Sequence, residues 1–469
     1  MNSYKKLVSN SAIFAVGNLG SKLISFLLVP LYTYYLSTSE YGTVDLTITT
    51  VNMLLPIVSL SIFEAVLRFV MDKENDSEVI LSNSIVIAAL GFVALFLFYP
   101  ILRYFNVLED NLIYLYIILF FLMYEKIFAQ YTRAVGKIKL FAINGILLTF
   151  TTGFLNIVFL VYLNMGVVGY YLAMILAYAI SVVFLIVSTK AYSVIHFGKL
   201  KKSTMQTLLA FSIPMVPNSL MWWLINASSR YFIRIFVGIS ANGLFAVASR
   251  IPSLLNIVNQ IFTQAWQLSA IEEFNSKNKS EFYTNVFSYL SAMMFIGTSV
   301  VLVILKPAFE TLFASDFYTA WKVVPFLLLG AVFSSFSGFL GTNYVAAKQT
   351  KGVFKTSVYG GIISLVLNGV FIPTMGVVGA GLSSMLSFFV MFIIRFYDTR
   401  EYIKMKIRWK NFLLNLAVLL LQTGILLIDF SRSLEIVIQI GLLIVIIIIN
   451  KNLLKPIKLL VKRIVKKKR

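Results

Sequence analysis

The sequence predicts an all-α integral membrane protein of about fourteen transmembrane helices, in two parallel six-helix lobes followed by a C-terminal helix pair. Composition is the first reason, because 59% of the 469 residues are hydrophobic and only 13% are charged, which is too apolar for a soluble domain. The second reason is an internal repeat: residues 165–169 and 375–379 both read Met-Gly-Val-Val-Gly and precede a long apolar helix. Repeats of this kind in membrane proteins are typical of transporters.

The repeat extends well beyond that pentapeptide, and nearly the same offset relates residues in several predicted helices. A repeat unit of about six helices is even, so the second copy keeps the orientation of the first, and a pseudo-two-fold axis runs along the membrane normal. The alternative is chance recurrence of a common membrane turn. The matched positions are Ser39 with Ser240, Gly42 with Gly243, Tyr131 with Tyr344, Phe141 with Phe354, and Asn156 with Asn368.

Apolar windows of about 20 residues, the length needed to cross a bilayer, define the predicted spans. In the first half they are 10–36, 42–67, 79–101, 112–132, 141–163 and 166–188; in the second half they are 206–233, 241–265, 282–305, 321–346, 352–373 and 376–397, and the extra pair is 411–429 and 434–450. The predicted domains are an N-terminal lobe at 1–200, a C-terminal lobe at 201–400, the helix pair at 401–452 and a basic tail at 453–469.

The basic residues predict the orientation of the chain. Most of the 40 Lys and Arg residues fall in alternate connections and in the tail, and cytoplasmic loops retain such residues, so both termini are expected in the cytoplasm. The net charge of +21 lies beside spans, which favours anionic membrane lipid over nucleic acid as its partner. The tail alternates lysines with apolar residues, which is typical of a short amphipathic helix on the inner leaflet.

The inventory of reactive residues argues against enzymatic chemistry. The chain has no Cys and one His, His196 in a loop, so no thiolate or histidine metal site is expected, and no cofactor. The predicted connections are too short to form a catalytic domain outside the membrane. We therefore expect a protein that is not an enzyme.

Charged residues inside predicted spans need a functional explanation, because each costs about 2.5 to 3.5 kcal/mol at a helix centre. Lys22 lies midway along the first span, and Arg250 lies at similar depth in the eighth. These helices occupy the first and second places of opposite halves, which in a two-lobed transporter line a shared central cavity. The alternative for both residues is an internal ion pair.

The segment from Gly20 to Gly42, Gly-Ser-Lys-Leu-Ile-Ser-Phe-Leu-Leu-Val-Pro-Leu-Tyr-Thr-Tyr-Tyr-Leu-Ser-Thr-Ser-Glu-Tyr-Gly, with Asp45 soon after, resembles the N-terminal signature of Wzx-type polysaccharide flippases. These belong to the multidrug/oligosaccharidyl-lipid/polysaccharide exporter superfamily, whose fold is MATE-like. The resemblance implies a flippase of the bacterial plasma membrane. It would carry undecaprenyl-diphosphate-linked oligosaccharide from the cytoplasmic to the outer leaflet by alternating access, through a cationic central cavity.

That cargo suggests roles for polar residues of the spans. Cations are expected to bind the diphosphate, amides and indoles to contact the sugars, and acids to form a gate or ion site. As alternatives, Glu64 and Arg68 neutralise one another, Arg230 and Arg234 snorkel to an interface, and the Trp residues only pack or anchor. The diphosphate set is Lys22, Arg68, Arg230, Arg234 and Arg250; the sugar set is Trp222, Trp223, Asn226, Gln260 and Gln264, with Asn218 and Trp266 as weaker members; the gate or ion set is Asp45 and Glu64.

Other functions remain open at this point. A multidrug, cation-coupled exporter of the same superfamily would share the fold but usually needs a carboxylate-centred site. A membrane polymerase or glycosyltransferase of the same pathway would need a catalytic loop, and a membrane scaffold would leave the deep cations without a purpose.

The expected partners are lipid-linked oligosaccharide, membrane lipids and other polysaccharide-assembly proteins, and a monomer is expected because two lobes suffice for one pathway. Five prolines in spans one, two, seven and eight predict bending helices.

Overall fold

A computed structural model describes residues 20–22, 24–72, 75–104, 111–274, 276–347, 349–428, 430–451 and 453. These ranges are almost wholly helical and contain no β-strand, which confirms the all-α prediction. Among the residues so described, 12 helical segments are long and apolar enough to cross a membrane. In the bilayer a helix satisfies its own backbone hydrogen bonds, which is why so apolar a chain folds this way.

The chain divides into two compact units, the first formed by Met1–Tyr231 with Ile239–Gly243 and the second by Phe232–Gly238 with Leu244–Arg469. The division passes through two helices, α10 and α11. The helices up to α8 are α1 (helical at 20–22 and 24–35), α2 (Thr38–Val58), α3 (Ile62–Val70), α4 (Ser77–Phe96), α5 (Tyr99–Tyr104), α6 (Leu112–Ala134), α7 (Ile138–Asn156) and α8 (Gly166–Thr189). The later helices are α9 (Lys202–Ser212), α10 (Met215–Phe236), α11 (Ile239–Glu273), α12 (Lys279–Leu312), α13 (Val324–Ala346), α14 (Thr350–Asp398), α15 (Trp409–Leu427) and α16 (Arg432–Ile449).

The second predicted span is two helices. Its start is fixed by a capping box, in which the Ser37 hydroxyl accepts from the Glu40 N–H and the Glu40 carboxylate accepts from the Ser37 N–H. Its break follows Pro56, which supplies no backbone N–H, and the chain then turns with positive φ at Leu60 and Ser61 before α3 begins. The bend predicted from proline therefore occurs in this helix.

The two copies of Met-Gly-Val-Val-Gly have the same backbone feature. Their first glycines, Gly166 and Gly376, both have positive φ, at 53° and 59°, a conformation that other L-residues rarely adopt. Their second glycines, Gly169 and Gly379, each lie against the carbonyl of a phenylalanine that occupies the same place in the repeat. The matched asparagines of the repeat, Asn156 and Asn368, are both fully buried. The duplication read from the sequence thus has a counterpart in local geometry.

The eleventh and twelfth predicted spans are two helical halves of one segment in the second unit, and they meet at a kink. They form α14, which bends sharply at Gly376, where φ is 59° and ψ is −137°. The apolar segment around it, Lys351–Glu401, has 51 residues, about twice what one crossing needs. Pro373, just before the bend, weakens the helix at the same place.

The C-terminal helix pair is held together by side-chain amides. Gln422 of α15 and Gln439 of α16 each donate to the other's backbone carbonyl, at 3.3 and 2.9 Å. Asn415 and Asn450 exchange hydrogen bonds between their side chains. The pair also connects to α12, because Lys306 Nζ lies 2.6 Å from Glu435 Oε2 in a largely buried ion pair.

The loop that holds His196 is attached to the first turns of α4. The backbone N–H of His196 donates to Ser82 Oγ, and Lys199 Nζ lies 2.5 Å from Glu78 Oε2. The hydrogen bond and charge of Glu78 raise the pKa of the Lys199 ammonium. His196 therefore lies in a loop whose contacts attach it to α4.

The fourteen predicted spans include residues that the structure does not describe. Residues 10–19 and 23 of the first predicted span, 10–36, and nearly all of the tail, 453–469, lie outside the described residues. The count of fourteen and the lobe boundaries near 200 and 400 therefore stay predictions.

Candidate functional site

A largely buried ion pair joins α2 and α10 within the first unit. Arg230 of α10 places its Nε 2.6 Å from Asp45 Oδ2 of α2. The two side chains are only 16% and 8% exposed. A charge this far from solvent is costly without a partner, and a charge-assisted hydrogen bond offsets much of that cost. The structure thus brings together a residue predicted to bind diphosphate and one predicted to form a gate or ion site.

Polar contacts continue from this pair along α2. The Trp223 indole N–H donates to the Thr49 carbonyl at 3.0 Å. The hydroxyls of Thr50 and Tyr231 are 2.6 Å apart, and the rings of Trp223 and Tyr231 meet edge to face. Trp223, predicted as a sugar contact, therefore has its polar atom engaged in joining α10 to α2 in this structure.

At the start of α2, backbone atoms of α2 lie close to the first turn of α11. Asn242 Nδ2 donates to the Gly42 carbonyl at 2.9 Å. A side chain added at Gly42 would overlap the Ile239 carbonyl, and one added at Gly243 would overlap the Thr38 carbonyl. Gly42 and Gly243 are corresponding positions of the repeat, so the duplicated glycines allow α2 and the first turn of α11 to approach closely.

The remaining predicted cations of the first unit are more accessible. Lys22 is an exposed residue of α1, next to Ser21, whose hydroxyl donates to the Gly145 carbonyl at 3.1 Å. Arg68 is exposed near the end of α3, and Glu64 is partly exposed. No ion pair joins Glu64 and Arg68, both of which the structure describes, so they do not neutralise one another here.

In the second unit, Arg234 and Arg250 are partly exposed and Gln260 is exposed. Trp266 is a core residue, because it is buried and stacks on Phe339 with 4.4 Å between ring centroids. It therefore offers no platform for a sugar ring in this structure. The predicted contacts Asn218, Trp222, Asn226 and Gln264 have side chains outside the described part of the chain.

Two buried charged groups were missed as site candidates by the sequence analysis. Glu125 of α6 is almost fully buried, and its carboxylate lies 3.3 Å from the Lys126 ammonium. Arg395 of α14 is also buried and donates to Thr356 Oγ1, the Ser337 carbonyl and Ser357 Oγ. It lies near a helix end in the sequence, where arginine usually reaches solvent. Only tertiary packing distinguishes it from a snorkelling residue.

Family comparison identifies the chain. Residues 7–267 match the family described as polysaccharide biosynthesis protein, which is more than half of the 469 residues. The chain belongs to this family. The family resemblance predicted from the N-terminal signature is thereby confirmed. No curated protein sequence gives a significant match.

Solved structures with this fold are flippases and transporters by description. The lipid II flippase MurJ, in an inward closed conformation, matches with a TM-score of 0.73 at 14% identity, over 95% of this chain and 99% of that chain. The Vibrio cholerae MATE transporter VcmN matches with a TM-score of 0.59 at 12% identity, over 85% and 96%. A superfamily transporter from Pyrococcus furiosus matches with a TM-score of 0.59 at 14% identity, over 84% and 94%. The predicted MATE-like membrane fold is therefore confirmed, while identities this low carry no information on cargo.

Proposed function

We propose that this protein is a flippase that moves undecaprenyl-diphosphate-linked oligosaccharide from the cytoplasmic to the outer leaflet of the bacterial plasma membrane. The observation that supports it best is the Asp45–Arg230 pair, in which a largely buried guanidinium of α10 contacts α2. A guanidinium presents a planar set of donors that suits phosphate oxygens as well as carboxylate. Membership of a polysaccharide biosynthesis family supports a cargo that carries sugar.

The mechanism follows from the exchange of one anion for another. Without cargo, Asp45 neutralises Arg230 and holds α10 against α2. A diphosphate carries more negative charge than one carboxylate, so it competes for the guanidinium and releases Asp45. Loss of that pair frees the two helices to separate. Asp45 then acts as the gate partner of Arg230, and its return expels the headgroup after transport.

The other predicted cations supply a basic route to and from this arginine. Arg68, exposed at the end of α3, receives the headgroup, and Lys22 provides a second point charge in α1. Arg234 and Arg250 have the same proposed role in the second unit, and Gln260, exposed there, is a proposed sugar contact. We propose alternating access as the transport mode, with both termini in the cytoplasm and a monomer as the functional form.

The test replaces Arg230 in a full-length protein reconstituted in liposomes. A fluorescent polyprenyl-diphosphate oligosaccharide is placed in the membrane, and an impermeant quencher reports how much of it changes leaflet. Arg230→Gln is expected to lower the initial rate by about tenfold or more, since it removes a charge-assisted contact worth roughly 1.5 to 3 kcal/mol. Arg230→Lys keeps the charge but not the planar donors, so an intermediate rate is expected.

Arg432→Gln is the matched control. Arg432 lies 2.6 Å from Glu310, the same distance as in the Asp45–Arg230 pair, but its side chain is 64% exposed. Its loss is expected to leave the rate unchanged. A wild-type rate in correctly folded Arg230→Gln protein would refute the proposal, and a gain or loss of cationic-drug export in its place would support the multidrug exporter.

A further inference from the structure

The segment that joins α14 to the C-terminal helix pair presents a row of cations on one side. We call residues 403–408 the basic strap; they form no regular helix, and burial alternates along them. The apolar side chains of Ile403 and Met405 are buried against the second unit. The alternate positions are exposed, and each of them carries a positive charge: Lys404, Lys406 and Arg408.

Contacts with three helices hold the basic strap in place. The backbone N–H of Lys406 donates to Thr284 Oγ1 of α12 at 3.0 Å. Trp409, the first residue of α15, meets Phe396 of α14 edge to face, with 5.4 Å between ring centroids, and it also contacts Phe412. The backbone of the strap is therefore fixed before any ligand arrives, which lowers the entropic cost of binding.

The end of α16 adds a further cation to the same place. Asn450, which caps α16, exchanges side-chain hydrogen bonds with Asn415 in the second turn of α15. This contact brings the exposed Lys451 to the end of the hairpin where the strap enters α15 and where the exposed Lys410 lies. Five cations thus gather at one end of the helix pair.

A small polar pocket lies beside Arg408, among α12, α15 and the end of α16. Ser291 and Asn411 contribute polar groups to its lining, and the described lining contains no acidic side chain. Its volume is about 20 Å³, enough for one water-sized group. One oxygen of a larger ligand therefore fits inside, while the rest of that ligand lies over the strap.

The surface of the hairpin next to these cations is apolar and exposed. Leu413 and Leu414 in the first turns of α15 and Ile447 and Ile448 at the end of α16 are all exposed. The Trp409 indole, which is 38% exposed, lies between the cations and this apolar surface along the chain. An exposed Trp between basic and apolar residues is typical of the headgroup level of a bilayer.

The cluster of cations lacks a counter-charge within the protein. No ion pair in the described part of the chain involves Lys404, Lys406, Arg408, Lys410 or Lys451. Like charges this close repel one another, so an anion that binds among them is favoured. A free anion would use the charges alone, whereas an anionic lipid would also cover the adjacent apolar surface.

We propose that the basic strap binds the headgroup of one anionic phospholipid. The Arg408 guanidinium binds the phosphate through its planar donors, and the neighbouring lysines add point charges. A headgroup oxygen enters the pocket at Asn411, and the acyl chains lie against the exposed apolar residues of α15 and α16. Basic pockets between membrane helices are a known mode of lipid-headgroup recognition. This binding does not depend on the proposed flippase function.

Binding is measured on the purified full-length protein in a neutral detergent at constant ionic strength. Phosphatidylglycerol is the probe, phosphatidylcholine is the uncharged reference, and native mass spectrometry counts the lipids bound at each concentration. One phosphatidylglycerol is expected to bind more tightly than any phosphatidylcholine. Replacing all three strap cations by Gln is expected to weaken this first binding step by about a hundredfold, because each cation near a lipid surface contributes about fivefold.

The matched control removes three cations from other parts of the second unit. Lys277, Lys351 and Lys355 are all exposed, and they lie in connections predicted on the same side of the membrane as the strap. Their replacement by Gln changes the net charge by the same amount, and the first binding step is expected to stay as in the wild type. If the triple strap variant fails to fold, Arg408→Gln alone is compared with Lys351→Gln, and about a fivefold loss is expected only in the former.

Asn411→Ala separates a seated headgroup from diffuse attraction. This variant changes no charge, so a diffuse layer of anionic lipid would not respond to it. A headgroup whose oxygen accepts from the Asn411 amide is expected to bind about threefold more weakly, which corresponds to one hydrogen bond.

Three results would overturn the proposal. Equal affinity of the strap variants and their controls would remove the role of these cations, and an unchanged Asn411→Ala would leave only diffuse attraction. Displacement of phosphatidylglycerol by an equimolar polyprenyl diphosphate would assign the strap to the transported lipid instead. Retention of phosphatidylglycerol in that competition supports the phospholipid, whatever the outcome of the leaflet assay.

Discussion

At the scale of single residues, buried charged side chains act through their ion pairs, whereas glycines act by letting helices approach closely. Asp45 and Arg230 neutralise one another in a nearly buried pair, and the buried Glu125 lies 3.3 Å from the Lys126 ammonium and accepts from Asn144. The first pair joins two helices, and the second joins neighbours on one helix. Glycine has the opposite role, since Gly42 and Gly243 act by the absence of a side chain.

Gly42→Ala and Gly243→Ala are expected to destabilise the protein. Each new methyl group would overlap a backbone carbonyl, which cannot move aside as a side-chain end can, and such overpacking costs about 1 to 3 kcal/mol. The measurement is the thermal unfolding midpoint in detergent. Gly441→Ala is the control, because no atom lies within 4 Å of the added methyl group there. Equal midpoints for all three variants would contradict the close contact between α2 and α11.

The sequence identified some of these residues by type but not by partner. Asp45, Arg230 and Lys22 stand out because charge inside an apolar window is conspicuous. Their partners depend on which helices pack together, and sequence periodicity carries no such information. Glu125 was missed for the same reason, because its burial depends on how α6 packs against its neighbours. Burial and the Asn144 contact are tertiary facts.

At the scale of helices, the sequence was a better guide. Apolar length predicted nearly every span, because a bilayer admits few alternatives to a helix. The error is at one break: the window 42–67 contains both α2 and α3, whereas the windows 352–373 and 376–397 correctly separate the two helical halves of α14, which meet at the kink at Gly376. Proline marked the break between α2 and α3. The kink depends on a φ value that only glycine readily adopts, and the repeated pentapeptide was its signal.

Gly166→Ala and Gly376→Ala are expected to cost similar amounts of stability. Both positions have positive φ, near 53° and 59°, and an L-residue in such a sparsely populated conformation costs roughly 1 to 3 kcal/mol. Unfolding of each single variant and of the double variant gives the measurement. Gly338→Ala, where no atom lies within 4 Å of the added methyl group and φ is not positive, is the comparison. Additive losses would support independent turns in the two halves, and no loss at either would refute the shared conformation.

At the scale of the whole molecule, membership of the family and the MATE-like fold are established, while topology and cargo are proposals. Duplication predicted the fold because a repeated six-helix unit restricts the architectures available. Cargo was not predictable in the same way. A solved flippase and a solved multidrug resistance transporter share this fold, so the fold alone does not set the cargo.

Topology is testable with single cysteines, since the chain has none of its own. Ser203 and Ser315 are both exposed, the first in a predicted cytoplasmic connection rich in lysine and the second in a predicted outer one. In intact cells an impermeant maleimide is expected to label Ser315→Cys and not Ser203→Cys. Permeabilised cells are the control, in which both should react. The reverse pattern would place the termini outside the cytoplasm.

The C-terminal hairpin bears on how such a chain is assembled. The side-chain amide N–H groups of α15 and α16 are paired within the hairpin, through Gln422 with Gln439 and Asn415 with Asn450. A hairpin whose amide donors are paired internally is able to enter lipid as a unit, before the rest of the bundle exists to receive it. Its remaining buried charge, Glu435, then finds Lys306 only on docking. In this order of folding, the hairpin would form first and then dock on the preceding helices through the Lys306–Glu435 ion pair.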